Sequence, residues 1–273
     1  MLRLYIFLLA LAFAAAAAAL SLANLPVPPP AGAQVLTVKV GTAPGPHAEI
    51  LQAVKQAAAK EGLNVQILIY DNYSRLNEDL AVGRLDANSF QHRAALQQAV
   101  AEQGYDLAAA ADTFYYPMGL YARKYKTVAA VKAGALVAIP DDPVNEGRAL
   151  RLLERAGLIR LRPGAGLNPR IDDIAENPRQ LAFRRLPSAE LPDSLSYADL
   201  TVMGAYYART ISLSPASDAI AAEGPDSPFV FVLAVKSKDL TSPRIKKLVA
   251  AYHSDAVRRF ILSRYPGTVL PAW

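Results

Sequence analysis

The sequence predicts an α/β fold built as two lobes, and three observations predict it. A strand–helix–strand order opens the chain after residue 34, which demands parallel pairing. A second β-rich run followed by a helical run starts near residue 135. Two amphipathic helical runs then close the chain, at 242–253 and 254–265. At 273 residues the chain is long enough to bury the cores of two modest lobes.

Taken in order, residues 35–40 (VLTVKV) form the first strand. Residues 46–61 carry Ile50, Leu51, Val54, Ala57 and Ala58 at helical spacing and stop at Gly62. Residues 63–70 (LNVQILIY) make the second strand. Ser74 is expected to cap a short helix to Val82, ahead of Gly83. Residues 105–111 and 114–122 read as two further strands, and 135–139 (ALVAI) as the next. Asp141-Asp142-Pro143 makes a turn, and Asn145 is expected to cap a helix that ends at Gly157. Residues 179–186, 199–203 and 229–235 read as strands, with a short helix starting near Gly204. The chain is expected to cross between lobes near 114–118 and again near 228–231. In such sheets ligands bind beyond the carboxyl ends of the strands. That places a cleft among the loops 41–47, 71–74, 88–93, 141–148 and the segment after Met203.

The N-terminal stretch stands apart. Residues 1–33 hold one Arg and no acid, and 4–20 is an uncharged, alanine-rich apolar run. This reads as a secretory signal cut after Ala33 or Ala23, with retention as an anchor the competing reading. Alanine's weak hydropathy favours cleavage. Residues 26–30 (PVPPP) form a stiff spacer in either case. Export to a periplasm is the expected localisation. The absence of cysteine excludes disulfides, thiolate metal sites and a cysteine nucleophile, and leaves no residue for a cysteine-linked lipid.

Composition narrows the function. Apolar residues make up 52% and charged residues 19%, a globular balance. The net charge of +5 is scattered along the chain, so no nucleic-acid partner is expected. Neither G-x-G-x-x-G nor a P-loop lysine follows the first strand, which excludes the usual nucleotide sites. The turn at 41–46 is either an anion-binding helix start or a rigid corner. The three histidines lie far apart, with no i, i+4 pair, so neither a metal nor another cofactor is expected. A secreted enzyme using Ser89, Asp141 or Asp142 with His92 is a further reading, but no G-x-S-x-G motif supports it.

What remains is binding chemistry. Arg148, in NEGR at a helix start, offers a planar fork that suits a carboxylate. It is expected to face the cleft, so that its removal leaves the fold intact. Phe90 and His92 lie two apart and would share a face of an extended segment, one apolar and one polar. Of the 13 tyrosines, Tyr70, Tyr73, Tyr115, Tyr116, Tyr206 and Tyr207 fall in or beside the predicted cleft.

Several blocks resemble the methionine-binding (NlpA-type) lipoproteins, the substrate-binding subunits of methionine ABC importers. They are VKVGTAPGPHAEIL (38–51), LDANSFQH (85–92), IPDDPVNEGRALRLLERAGLIRL (139–161), SPFVFVLAVKSKDL (227–240) and the ending 254–273. The resemblance implies a two-lobe periplasmic binding protein fold, type II-like, that closes over a free amino acid. The lobes would be 34–116 plus 230–273, and 117–229. It implies a ligand site in which Tyr73 lies on the ligand, Phe90 packs a thioether chain with His92 beside it, and Asn145 and Arg148 hold the carboxylate. It implies no catalysis, and a membrane permease and ATPase as partners.

Three positions depart from the family's pattern. Gly204 stands where it has an Asn that meets the amino-acid head group. Ala94-Ala95 stands where it has Pro-Tyr, and Phe231 where it commonly has Asn. Tyr206 or Asp199 could replace the lost amide. A binding-only sensor or scavenging receptor with a different carboxylate ligand is therefore the alternative reading.

Overall fold

In the computed structural model, which describes residues 36–273, two five-stranded sheets each carry three parallel neighbours and an antiparallel intruder. The first sheet has the order β2-β1-β3-β13-β4, from β1 (Leu36–Thr42), β2 (Leu63–Ile69), β3 (Ala87–Ser89), β4 (Leu107–Asp112) and β13 (Val232–Lys236). The second has the order β10-β7-β11-β6-β12, from β6 (Met118–Tyr121), β7 (Leu136–Pro140), β10 (Ala182–Leu186), β11 (Leu200–Gly204) and β12 (Ala221–Ala222). The intruders are β13 and β6. Each is the strand through which the chain enters from the other lobe, so it must run against its neighbours.

Each sheet is covered on both faces, as buried parallel strands require. On one face of the first sheet lie α1 (Pro46–Lys60) and the closing helices α7 (Pro243–Tyr252) and α8 (Asp255–Arg264). Their Ile50, Leu51, Val54, Ile245, Leu248 and Ile261 form one core with Val38 and Val40. On the other face, Leu76 and Leu80 of α2 (Ser74–Ala81) and Leu96 of α3 (Arg93–Gln103) pack with Leu107 and Val232. In the second lobe, α4 (Pro143–Arg155) packs Ala149, Leu150 and Leu153 on β6, β7 and β11. Leu191 of α5 (Leu191–Ser194) and Ala208 of α6 (Ala205–Thr210) cover the opposite face.

The two crossings are bonded to each other. Thr113 N–H and Oγ1 both donate to Phe231 O, at 2.8 and 2.9 Å, and Phe231 N–H donates to Phe114 O at 2.9 Å. Strand β5 (Phe114–Tyr115) also pairs with the C-terminal strand β14 (Leu270–Pro271). Asp112 faces Val232, and Gly204 faces Met118. The carboxyl ends of β4 and β11 therefore meet the crossings.

Several local expectations need correction. Ser74 does not cap α2. Tyr73 holds the cap position, and the Asn72 carboxamide oxygen accepts from Ser74 N–H and Oγ instead. Asn145 does not cap α4. Asp142 does, accepting Asn145 N–H at 3.0 Å, because Pro143 takes the first helical position and needs no N–H partner. The 114–122 run breaks in two at Tyr116-Pro117, since the chain leaves one sheet there for another. The 229–235 run enters its sheet only at Val232. The 105–111 and 179–186 runs start later, at Leu107 and Ala182. Helix α3 has no counterpart in the sequence reading, because its AALQQAVAEQ stretch carries little apolar contrast around the helix.

Candidate ligand site between the lobes

A buried amide network builds the first wall. Asn77 and Gln91 pair reciprocally at 2.9 and 2.6 Å, and Asn88 Nδ2 donates to Asn77 Oδ1 and Leu76 O. Three carboxamides satisfy one another out of water, which holds the turn after β3 in one conformation. That turn presents Phe90, whose ring lies 6.2 Å from the half-exposed Tyr73.

Phe90 and His92 do not sit on a shared strand face as expected. His92 is the cap of α3, and its Nδ1 accepts Ala95 N–H at 3.0 Å. A chain that turns into a helix two residues after Phe90 breaks the two-residue alternation. The Nδ1 acceptor role puts the imidazole proton on Nε2. Burial, with the Arg148 guanidinium nearby, pushes the His92 pKa down to about 4. Its ring meets Phe229 edge-on at 5.1 Å and Phe231 at 6.1 Å.

Phe231 belongs to an aromatic cluster at the crossings. It stacks on Phe114 at 5.4 Å and meets His47 at 4.7 Å and Tyr116 at 5.4 Å. Such pairs contribute about 0.5–1.5 kcal/mol beyond their burial. The Phe at 231 is thus part of the seam that joins the lobes. His47, buried in that cluster, has its pKa pushed down to about 4 by desolvation, and its Nδ1 has no partner.

The second wall changes the picture of Arg148. Its Nε and Nη2 bind Glu223 Oε1 and Oε2 at 3.2 and 2.5 Å. Nη2 also donates to Tyr116 O at 3.1 Å, and Nη1 to Asn145 Oδ1 at 3.3 Å. The guanidinium lies 4.9 Å over the Phe229 ring. Four of its five N–H groups are therefore committed, and one on Nη1 is open. Arg148 and Glu223 are 16% and 8% exposed, and Glu223 Oε2 also accepts Met118 N–H at 3.0 Å. The expectation that Arg148 is dispensable for the fold is corrected: it ties α4 to the 116–118 crossing. Glu223 was missed because it lies 75 residues from Arg148 with no local motif.

Gly204 ends β11 at the same crossing, with φ −70° and ψ 155°. A Cβ built there meets no atom within 4 Å, so a side chain fits without strain. Asp199 cannot serve the head group. Its carboxylate is committed to Leu136 N–H and Lys124 at the start of β11. Ser89 is fully buried, and its hydroxyl meets Tyr252 rather than His92. Asp142 is engaged in its helix cap. Among the described residues, no group of three His, Asp or Glu side chains is placed to hold a metal. No helix among them is long and apolar enough to cross a membrane.

Two covered sheets, a double crossing and polar groups gathered at the strands' carboxyl ends define a two-lobe ligand-binding protein. The chain belongs to the NlpA lipoprotein family, whose match spans residues 38–273. It is 38% identical over 239 residues to the D-methionine-binding lipoprotein MetQ of Salmonella typhimurium, covering 86% of this chain and 88% of that protein. A nutrient-binding protein from Burkholderia cenocepacia, solved bound to methionine, is 42% identical with a TM-score of 0.63 over 86% of this chain and 100% of that one. Lipoprotein Tp32 of Treponema pallidum is 36% identical with a TM-score of 0.64, covering 87% and 100%.

Proposed function

We propose that the chain is the substrate-binding protein of an ABC importer for methionine or a related small amino acid or carboxylate. The observation that carries this is the family match over residues 38–273 together with a methionine-bound relative at 42% identity. The lobes are 34–116 plus 230–273, of which 34 and 35 lie outside the described residues, and 117–229, and they close over the ligand. Tyr73 and Phe90 pack its side chain, His92 Nε2–H donates to it, and the open N–H of Arg148 with Asn145 meets its carboxylate. Gly204 leaves room beside the head group. Ligand contacts to both lobes shift an open–closed equilibrium, and the closed form is what the permease, coupled to its ATPase, recognises. The protein works in the periplasm. The given sequence holds no cysteine, and the signal or anchor expected within residues 1–33 lies outside the described residues.

Titration calorimetry with L- and D-methionine tests this reading. Binding at micromolar affinity or tighter is expected. A folded protein that gives no heat with either would overturn it. Gly204→Asn is expected to tighten methionine binding about ten- to a hundredfold, because an added amide supplies a hydrogen bond to a charged head group worth about 1.5–3 kcal/mol. Unchanged affinity would show that the head group lies elsewhere. The second reading, a sensor for a different carboxylate, is favoured by the commitment of Arg148 to Glu223.

A further inference from the structure

A cavity opens between the lobes and shares none of the residues just assigned. It measures about 460 Å³. Pro46, Tyr265 and Val269 wall it from the first lobe, Tyr206 and Arg209 from the second, and Tyr116 of the crossing completes it. The volume falls in the range of small-molecule sites.

Its charge is one-sided. Arg209 is the single charged side chain in the lining, and among the described residues it makes no ion pair. No acid among the described residues lines the cavity. The carboxylate beside it, Glu49, is already committed to Tyr265 Oη at 2.8 Å and Arg264 Nε at 3.0 Å. A ligand ammonium would find no counter-charge here, whereas a carboxylate would find an open guanidinium fork. The tyrosine rings and Pro46 suit an apolar or aromatic body.

From this geometry we infer that the cavity binds a small monocarboxylate with an apolar or aromatic body, its carboxylate held by Arg209. None of the residues assigned to the amino-acid site above lines this cavity. Because both lobes supply walls, occupancy stabilises the arrangement that closes it.

Calorimetric titration of the full chain with phenylacetate, 2-phenylethylamine and L-methionine tests this, on the wild type and on Arg209→Gln and Tyr206→Ala. Phenylacetate is expected to bind one site and 2-phenylethylamine not to bind. Arg209→Gln is expected to weaken phenylacetate at least tenfold and to leave L-methionine unchanged, and Tyr206→Ala to weaken phenylacetate too. No binding of phenylacetate by the wild type, or equal binding by Arg209→Gln, would overturn the inference. The predicted pattern with phenylacetate alongside silence with methionine would sustain this site while refuting the amino-acid one.

Discussion

Arg148→Ala is expected to lower the stability of the folded chain by about 3–5 kcal/mol, the cost of breaking a buried ion pair from one side. Glu223, 8% exposed, would keep only Met118 N–H as a partner, and its carboxylate would be stranded out of water. Tyr116 O would lose its donor as well. The melting temperature is expected to fall by about 6–20 °C. The double variant Arg148→Met with Glu223→Gln separates charge from contact. Gln retains an oxygen for Met118 N–H and leaves no unpaired charge. It is expected to recover most of the loss, since neutral replacement of both partners is commonly tolerated. A melting temperature for Arg148→Ala within about 2 °C of the wild type would refute the role of this pair in joining α4 to the crossing.

Acidification is expected to destabilise the chain well before its carboxylates titrate. His47 and His92 are both held neutral, with pKa values pushed down to about 4 from about 6.5 by burial. A depressed histidine pKa means that the unfolded chain takes up protons first. Its contribution to stability is full above about pH 6.5 and is lost as the pH falls toward 4. Each histidine contributes a slope of up to about 1.4 kcal/mol per pH unit in that window, and the two together about 2.7. Urea midpoints measured from pH 7.5 to 5 report the slope. His92→Asn is the discriminating variant. An asparagine oxygen can still accept Ala95 N–H at the helix cap, but it does not titrate. The slope is expected to fall by about half. A flat profile between pH 6.5 and 5, or a slope unchanged in His92→Asn, would show that these rings are not shielded as the structure places them.

Both effects arise at the seam between the lobes. There the Phe231 ring stacks on Phe114 and meets His47, so this residue serves packing. The same crowding desolvates His47. Packing and protonation are thus set by one cluster.

The elements were legible wherever one segment carried its own pattern. The apolar spacing of residues 46–61, the β-rich runs at 35–40 and 63–70, and the glycines that close helices are local signals, and the structure follows them. The carboxyl-end loops were legible too, because parallel strands force their connections to one edge. Caps were read less well. Ser74 and Asn145 are sound cap types, but Asn72 and Asp142 are better placed once the turns are formed. Helix α3 was invisible because its stability comes from Leu96 packing under the first sheet, a contact its own sequence does not announce.

Periodicity and chain direction thus carried the α/β class, the order of most elements and the two crossings, but not helix α3. Only the tertiary structure decided how the side chains at the cleft are engaged. It showed Arg148 held by a carboxylate 75 residues away, Asp199 drawn off to Leu136, and Arg209 without an acid among the described lining residues of its cavity. Partners distant in sequence meet only once the lobes are folded and joined, and the strength of a charge depends on what then surrounds it.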